Sequence, residues 1–220
     1  MLLNIFNCSP RGERSNSAIL TRAFAKGFCD AAVFPENRFQ EFFLGNPEDR
    51  EKAREAFPRQ STALIAFPIY VDAMPGVAKL FFESLRNYRG SCSSTGMIFL
   101  VQTGFPEKTH TRPMQAYLLK LARRLGSPCP GVIRMGSGEG VRQQTRSRRG
   151  RKLLSRYEQL GRSYARSGTL DEEILAGLTG PTRHSPLLMR FVLPLANHFF
   201  WDRELKKNGA YSRRFDRPLE

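Results

Sequence analysis

"TALIAFPIYVDAMPGVAKLFFESLR" (residues 62–86) decides the fold of this chain. Its first part, residues 62–70, is an almost unbroken apolar run, the pattern of a strand buried on both faces of a parallel sheet. A turn stiffened by Pro68 and Pro75 follows, and residues 77–86 then carry helical spacing. A parallel strand needs such a crossover, because its neighbour must start again from the same end. The same unit recurs outward in both directions. "LLNIF" (2–6) is a strand, followed by a helix over 17–33 with Ile19, Leu20, Ala23, Phe24, Gly27 and Phe28 on one stripe. "RFQEFFL" (38–44) precedes the charged helix 47–57, "GMIFLVQT" (96–103) precedes the helix 112–126 closed by Gly126, and "GVIRMG" (131–136) precedes the helix 151–165. Five strand–helix units predict an α/β fold, a parallel sheet with helices on both faces. In an open sheet of this kind ligands sit beyond the carboxyl ends of the strands, where the strand order reverses.

Composition limits the alternatives. With 40% hydrophobic and 11% aromatic residues in 220, the chain can fill a core and is unlike a disordered protein. Thirty-five Lys and Arg against 20 Asp and Glu give a net charge of +15, which attracts anions of any kind. In the arginine-rich segment 141–162 basic and aromatic residues do not interleave as in single-strand binders, so nucleic acid is disfavoured. Cys8, Cys29, Cys92 and Cys129 are far apart, which argues against a structural zinc or a thiolate-held cluster and for a reducing, cytoplasmic setting. The N-terminus shows no secretory signal pattern. The most lipophilic stretch, 186–201, is too short to span a bilayer and is interrupted by Arg190, Pro194 and His198, so no integral membrane segment is expected. His110, His184 and His198 are scattered without metal-ligand spacing, and no catalytic triad stands out.

Three loops follow the first, third and fourth strands. In "NCSPRGERSNSAIL" (7–20), Ser9, Arg11, Ser15, Asn16 and Ser17 precede a helix, whose first turn has unpaired N–H groups and partial positive charge suited to a phosphate. Arg11 and Arg14 add charge-assisted donors, although Ser15 or Asn16 serves equally well as an ordinary helix cap. The loop is neither a Walker A sequence nor G-x-G-x-x-G. In "FPIYVDAMPG" (67–76), Tyr70 and Met74 offer a surface for a flat ring, while Val71 reads as ordinary core at a strand end. In "QTGFPE" (102–107), Thr103 supplies a hydroxyl, Gly104 permits close backbone approach and Phe105 is able to cover a ring.

Taken together, "NCSPRGERSNS", "ALIAFPIYVDAMPGVAKLFFESL" and "VQTGFPE" resemble the three flavin-binding loops of the flavodoxin-like NAD(P)H-dependent FMN reductases. The resemblance runs from residue 2 to about residue 136, with Cys8 and Phe105 standing where that family commonly has glycine. It implies a doubly wound five-stranded parallel sheet in the order 2-1-3-4-5, with an FMN-binding domain over 1–168 and a C-terminal helical extension over 169–220. Carried over by position, Ser9, Arg11, Ser15, Asn16 and Ser17 hold the FMN phosphate. Pro68, Ile69, Tyr70, Val71 and Met74 line one side of the isoalloxazine, and Thr103, Gly104 and Phe105 another. The implied activity is hydride transfer from NAD(P)H to FMN, then electron delivery to a small-molecule acceptor such as a quinone or flavin, in a homodimer. The cofactor carries that chemistry and the protein orients it. Two other readings stand beside it: a flavodoxin-like electron carrier, which the basic charge disfavours, and an anion- or nucleic-acid-binding module on the same scaffold.

Two features lie outside those loops. "GSGEG" (136–140) follows the fifth strand but lacks the acidic partner of a dinucleotide loop, and is expected to be a flexible connection near the flavin edge. The arginine-rich segment after it is a solvated basic face, an NADPH phosphate site or a contact for an acidic partner. In the tail, Leu187, Phe191, Leu195 and Phe199 form a helical stripe that Pro194 is expected to kink, and that needs the domain or a partner subunit to cover it.

Overall fold

A computed structural model of the chain describes residues 1–31, 36–105, 107–178 and 185–217. The first compact unit, Met1–Thr182, contains β1 (Leu2–Asn7), α1 (Asn16–Asp30), β2 (Arg38–Phe43), α2 (Pro47–Ala56), β3 (Ser61–Pro68), α3 (Gly76–Ser84) and β4 (Thr95–Gln102). It continues with α4 (Arg112–Leu125), β5 (Gly131–Met135), the short α5 (Val141–Gln144), α6 (Arg148–Ser167) and α7 (Glu172–Leu178). The five strands are all parallel, in the order β2-β1-β3-β4-β5. This is the flavodoxin-like arrangement, and its chain reverses direction across the sheet between β1 and β3.

The period of two along each strand divides the core. Leu3 and Ile5 of β1, Leu64 and Ala66 of β3, and Ile98 and Leu100 of β4 face α1 and α6. Phe6, Ile65, Phe67, Phe99 and Val101 face α2, α3 and α4. Phe6 is fully buried, with Phe42 at 5.5 Å and Phe81 at 5.1 Å between ring centroids. Because both faces are covered, β3 is apolar from Ala63 to Pro68, which is why that run showed no alternation.

The helices α1 and α6 meet at backbone distance. A Cβ on Gly27 would lie 1.8 Å from the Glu158 carbonyl oxygen, and one on Gly161 would lie 2.0 Å from that of Phe24. Beside this contact the Tyr164 hydroxyl and Thr62 Oγ1 are 2.9 Å apart. The helix α6 starts at Arg148, three residues before the sequence reading, because Ser147 caps it by accepting a hydrogen bond from the Gly150 N–H at 3.0 Å. Gly126, at φ +74°, closes α4 as expected. The first unit runs beyond residue 168 because Leu178 of α7 is buried in the same core as α6 and β5.

The second unit, Arg183–Glu220, holds α8 (Pro186–Ala196), a π turn over Asn197–Trp201 and α9 (Asp202–Lys207). Pro194 lies inside α8, and the wide turn begins three residues later. Leu187, Phe191, Leu195 and Phe199 are exposed. No helix among the described residues is long and apolar enough to cross a membrane.

Candidate functional site

The loop after β1 is organised by Asn7, a residue the sequence reading passed over. Its buried side chain accepts from the Ser9 N–H at 3.0 Å and donates to Ser15 Oγ at 3.2 Å, fastening both ends of the loop. The only sequence signal was a polar residue closing an apolar strand. Ser15 is the N-cap of α1 and accepts from the Ala18 N–H at 3.1 Å. Ser17 accepts from the Gln102 amide at 2.9 Å. Ser9 accepts from the Arg11 N–H at 3.4 Å. In each contact the serine oxygen accepts, which leaves its hydroxyl hydrogen for another acceptor.

Asn16 ties this loop to the one after β5. Its Nδ2 donates to the carbonyls of Gly138 at 2.8 Å and Glu139 at 3.1 Å, and its Oδ1 accepts from the Arg142 N–H at 3.2 Å. The exposed Arg11 side chain reaches the same loop, with NH1 3.2 Å from Glu139 Oε1. Ser137 and Gly138 donate backbone hydrogen bonds to Phe105 and Thr103 at 2.9 and 2.8 Å. The segment 136–140 therefore lies beside the candidate ring loop, as expected, but it is fixed from two sides rather than a flexible connection.

In the loop after β3, Ile69 is core, and Pro68 and Met74 are half-buried. Val71 is the correction: it is 97% exposed and takes no part in the core. Tyr70 and Ala73 exchange backbone hydrogen bonds at 2.9 and 3.0 Å, so residues 70–73 make a tight turn with Val71 and Asp72 in its corners. Their φ values, +48° and +61°, are left-handed, and a β-branched side chain is seldom found there. The turn lifts Val71 and the half-exposed Tyr70 off the end of the sheet.

In the loop after β4, Thr103 is buried, while Gly104 and Phe105 are exposed. A Cβ on Gly104 would meet nothing within 4 Å. The Phe105 ring stacks on His110 at 4.4 Å, and His110 Nδ1 lies 3.3 Å from Asp72 Oδ1. This pair links the second loop to the third. Scattered histidines gave no hint of it, because the contact spans 38 residues. His198 lies in the second unit, and His184 lies outside the described residues. Burial pushes the Cys8 thiol far up, so it is a neutral core group and no thiolate.

The structure thus brings the three loops to one edge of the sheet. The first contributes the exposed Arg11 and the buried Ser9, Ser15, Asn16 and Ser17, of which the Asn16 and Ser17 N–H groups have no hydrogen-bond partner among the described residues. The second and third contribute Tyr70, Val71 and Phe105 as exposed apolar groups. The side chains of Ile69 and Thr103 stay beneath that surface.

No family model matches the chain, and no curated protein does. Solved structures do. One is an FMN-dependent NADH-azoreductase from Bacillus anthracis in complex with FMN, at 12% identity and a TM-score of 0.58, covering 74% of this chain and 99% of that one. Another is an NADH:FMN oxidoreductase in its apo form, at 14% identity and a TM-score of 0.57, covering 85% and 98%. A third is an NAD(P)H:quinone oxidoreductase from Methanothermobacter marburgensis, at 15% identity and a TM-score of 0.58, covering 74% and 96%. At such identities the shared property is the fold, a flavodoxin-like sheet with its helices.

Proposed function

We propose that the chain is an FMN-dependent oxidoreductase that takes a hydride from NAD(P)H and passes electrons to a small-molecule acceptor. The observation that supports this reading is that the loops after β1, β3 and β4 share one edge of the sheet, at the switch point between β1 and β3, with Tyr70, Val71 and Phe105 exposed there. The residues fit the group. The exposed Arg11 guanidinium, with the N–H groups of Asn16 and Ser17 and the hydroxyls of Ser9, Ser15 and Ser17, all of them on residues no more than 6% exposed, would form the donor set for a phosphate dianion. Pro68, Ile69, Tyr70, Val71 and Met74 from one loop and Thr103, Gly104 and Phe105 from another would line a planar ring. The names of the similar structures support the same cofactor and co-substrates.

When bound, FMN supplies a ring that accepts a hydride and releases electrons. The chain's residues do the rest. Arg11 and the start of α1 anchor the anionic end, Tyr70 and Phe105 hold the ring flat and exclude water, and the Asp72–His110 pair braces the two ring loops. A homodimer belongs to the proposal, with a second copy covering the exposed Leu187, Phe191 and Leu195.

The test is an absorbance spectrum of purified protein incubated with FMN and freed of excess, before and after NADH and NADPH. Retained yellow colour that bleaches with either nicotinamide supports the reading. Protein that keeps no flavin and retards DNA instead would replace it with an anion-binding module, and light scattering reads the copy number.

A further inference from the structure

The arginine-rich stretch after β5 has no part in the proposed flavin site. From residue 140 through 157 there is no acidic residue, while Arg142, Arg146, Arg148, Arg149, Arg151, Lys152 and Arg156 all fall inside it. Part of this charge borders a cavity of about 410 Å³ at the carboxyl end of β5, between the segment 135–145, α6 and the end of α7. That is the size of a small-ligand pocket. None of its lining residues belongs to the loops 8–17, 67–76 or 102–107.

The cavity has two kinds of wall. Met135, Val141, Leu154 and Leu178 make it apolar, with no aromatic ring among the lining side chains. Arg149, Lys152 and Arg156 make it cationic, with no carboxylate among them. Arg156 is held in place, its NH1 donating to the Gly177 carbonyl at 2.7 Å, and its other donors have no partner among the described residues. Arg149 and Lys152 are exposed and make no ion pair with the described residues. The N–H groups of Arg148 and Arg149, at the start of the 20-residue α6, also have no partner among the described residues, so the helix end adds positive potential on the same side.

Unpaired cations of this number beside a dry wall favour a ligand with a dianionic head and an apolar body. We propose that this cavity binds a small organic phosphate monoester, with its phosphate at Arg149, Lys152 and Arg156 and its organic part against Met135, Val141, Leu154 and Leu178. The site is separate from the flavin cradle and does not depend on the flavin reading. The same chemistry is presented by a compact ester and by a phosphorylated adenosine, the end group of a phosphorylated dinucleotide.

Calorimetric titration of the full chain at fixed ionic strength tests this, with phenyl phosphate, 2′-AMP, inorganic phosphate and phenol as probes. One of the two esters should bind at a single site at least tenfold more tightly than either phosphate or phenol. Tighter 2′-AMP identifies the adenosine source, and tighter phenyl phosphate the compact one. The double variant R149A/K152A should weaken that ester at least tenfold. K120A/R123A, which removes the same charge from exposed positions of α4, should leave it within about twofold. Equal weakening by the two variants would reduce the effect to the net charge of the chain and overturn the proposal. So would an ester that binds no better than inorganic phosphate, or one displaced by FMN in a one-to-one competition.

Discussion

Arg11 NH1 and Glu139 Oε1 lie 3.2 Å apart, joining the loop after β1 to the loop after β5 across the start of α1. A carboxylate therefore holds the one guanidinium that, in the flavin reading, belongs to a phosphate. Both side chains are about half exposed, so the pair itself adds little to stability. Its effect is on the ligand: an arriving phosphate shares Arg11 with a negative charge. Glu139→Gln should tighten FMN by about 1 kcal/mol, roughly fivefold, and riboflavin hardly at all. Arg11→Ala should weaken FMN and spare riboflavin. A fluorescence titration of both flavins reads the difference, and parallel changes for the two would put the phosphate elsewhere.

Asn16 makes three hydrogen bonds to the backbone of residues 138–142 and is buried. Asn16→Ala leaves the Gly138 carbonyl and the Arg142 N–H without their partner, a loss of about 2–3 kcal/mol. Asn16→Asp should cost more, because a carboxylate faces two carbonyl oxygens and donates to neither. Urea unfolding of the three proteins gives the order directly. An Asn16→Asp variant as stable as the parent would mean that the amide's two bonds are not made in solution.

Val71 and Asp72 occupy left-handed backbone on a turn that projects from the sheet. An L side chain there is strained by about 1–2 kcal/mol, and glycine returns part of that gain through its floppier unfolded chain. Val71→Gly should therefore stabilise the protein by about 0.5–1 kcal/mol. The same change removes an exposed apolar group from the candidate ring surface, so flavin affinity should fall while the melting temperature rises. A variant that loses stability would show that the valine side chain has contacts the turn requires.

The strand–helix units were legible because they rest on strong local signals, and the sheet order came with the family resemblance. The run 62–68 is apolar on both faces, Pro75 precedes a helix, and Gly126 ends one. What the sequence hid was pairing across distance. Asn16 looked like a cap or a phosphate ligand, whereas Ser15 is the cap and the Asn16 side chain is a clasp 122 residues from its carbonyl partner. Val71 looked like core because an apolar residue at a strand end usually is, and only the backbone angles of the turn reveal that it points outward. The Phe105–His110–Asp72 contact has no local periodicity to betray it.

Glu41 on β2 gives a pH dependence. Its Oε2 accepts from Arg22 Nε at 2.9 Å, while its Oε1 is buried without a partner among the described residues. Burial outweighs the Arg22 interaction and holds its carboxyl above the usual carboxylate range. In this case the folded state binds the proton more readily than the unfolded state. The contribution to stability is present below the ordinary carboxylate pKa and is lost as pH rises through the raised one. Glu41→Gln keeps an acceptor for Arg22 and removes the buried charge. The unfolding free energy of the parent relative to Glu41→Gln should fall as the pH rises above the ordinary carboxylate range. A difference independent of pH would show that Glu41 is solvated in the folded protein.

Gly161 and Gly27 set the distance between α1 and α6, the helices that position the cradle and border the basic cavity. A methyl group at 161 would stand 2.0 Å from the Phe24 carbonyl oxygen, far inside contact distance, and that oxygen belongs to a helix backbone that cannot swing aside. Alanine raises helix propensity by about 1 kcal/mol over glycine, so an exposed Gly→Ala change in α6 would stabilise. At 161 the sign reverses. The helices must part, and the packing of Phe24 and Phe28 against Tyr164 is loosened with them. The net loss for Gly161→Ala should reach about 2–3 kcal/mol, the upper range for overpacking. Gly168→Ala, just past the helix end at φ +72°, tests the alternative that any glycine lost from this helix is harmful. It should cost only about 1 kcal/mol, from backbone strain with no collision. Equal losses at the two positions would mean that the helices are not in backbone contact.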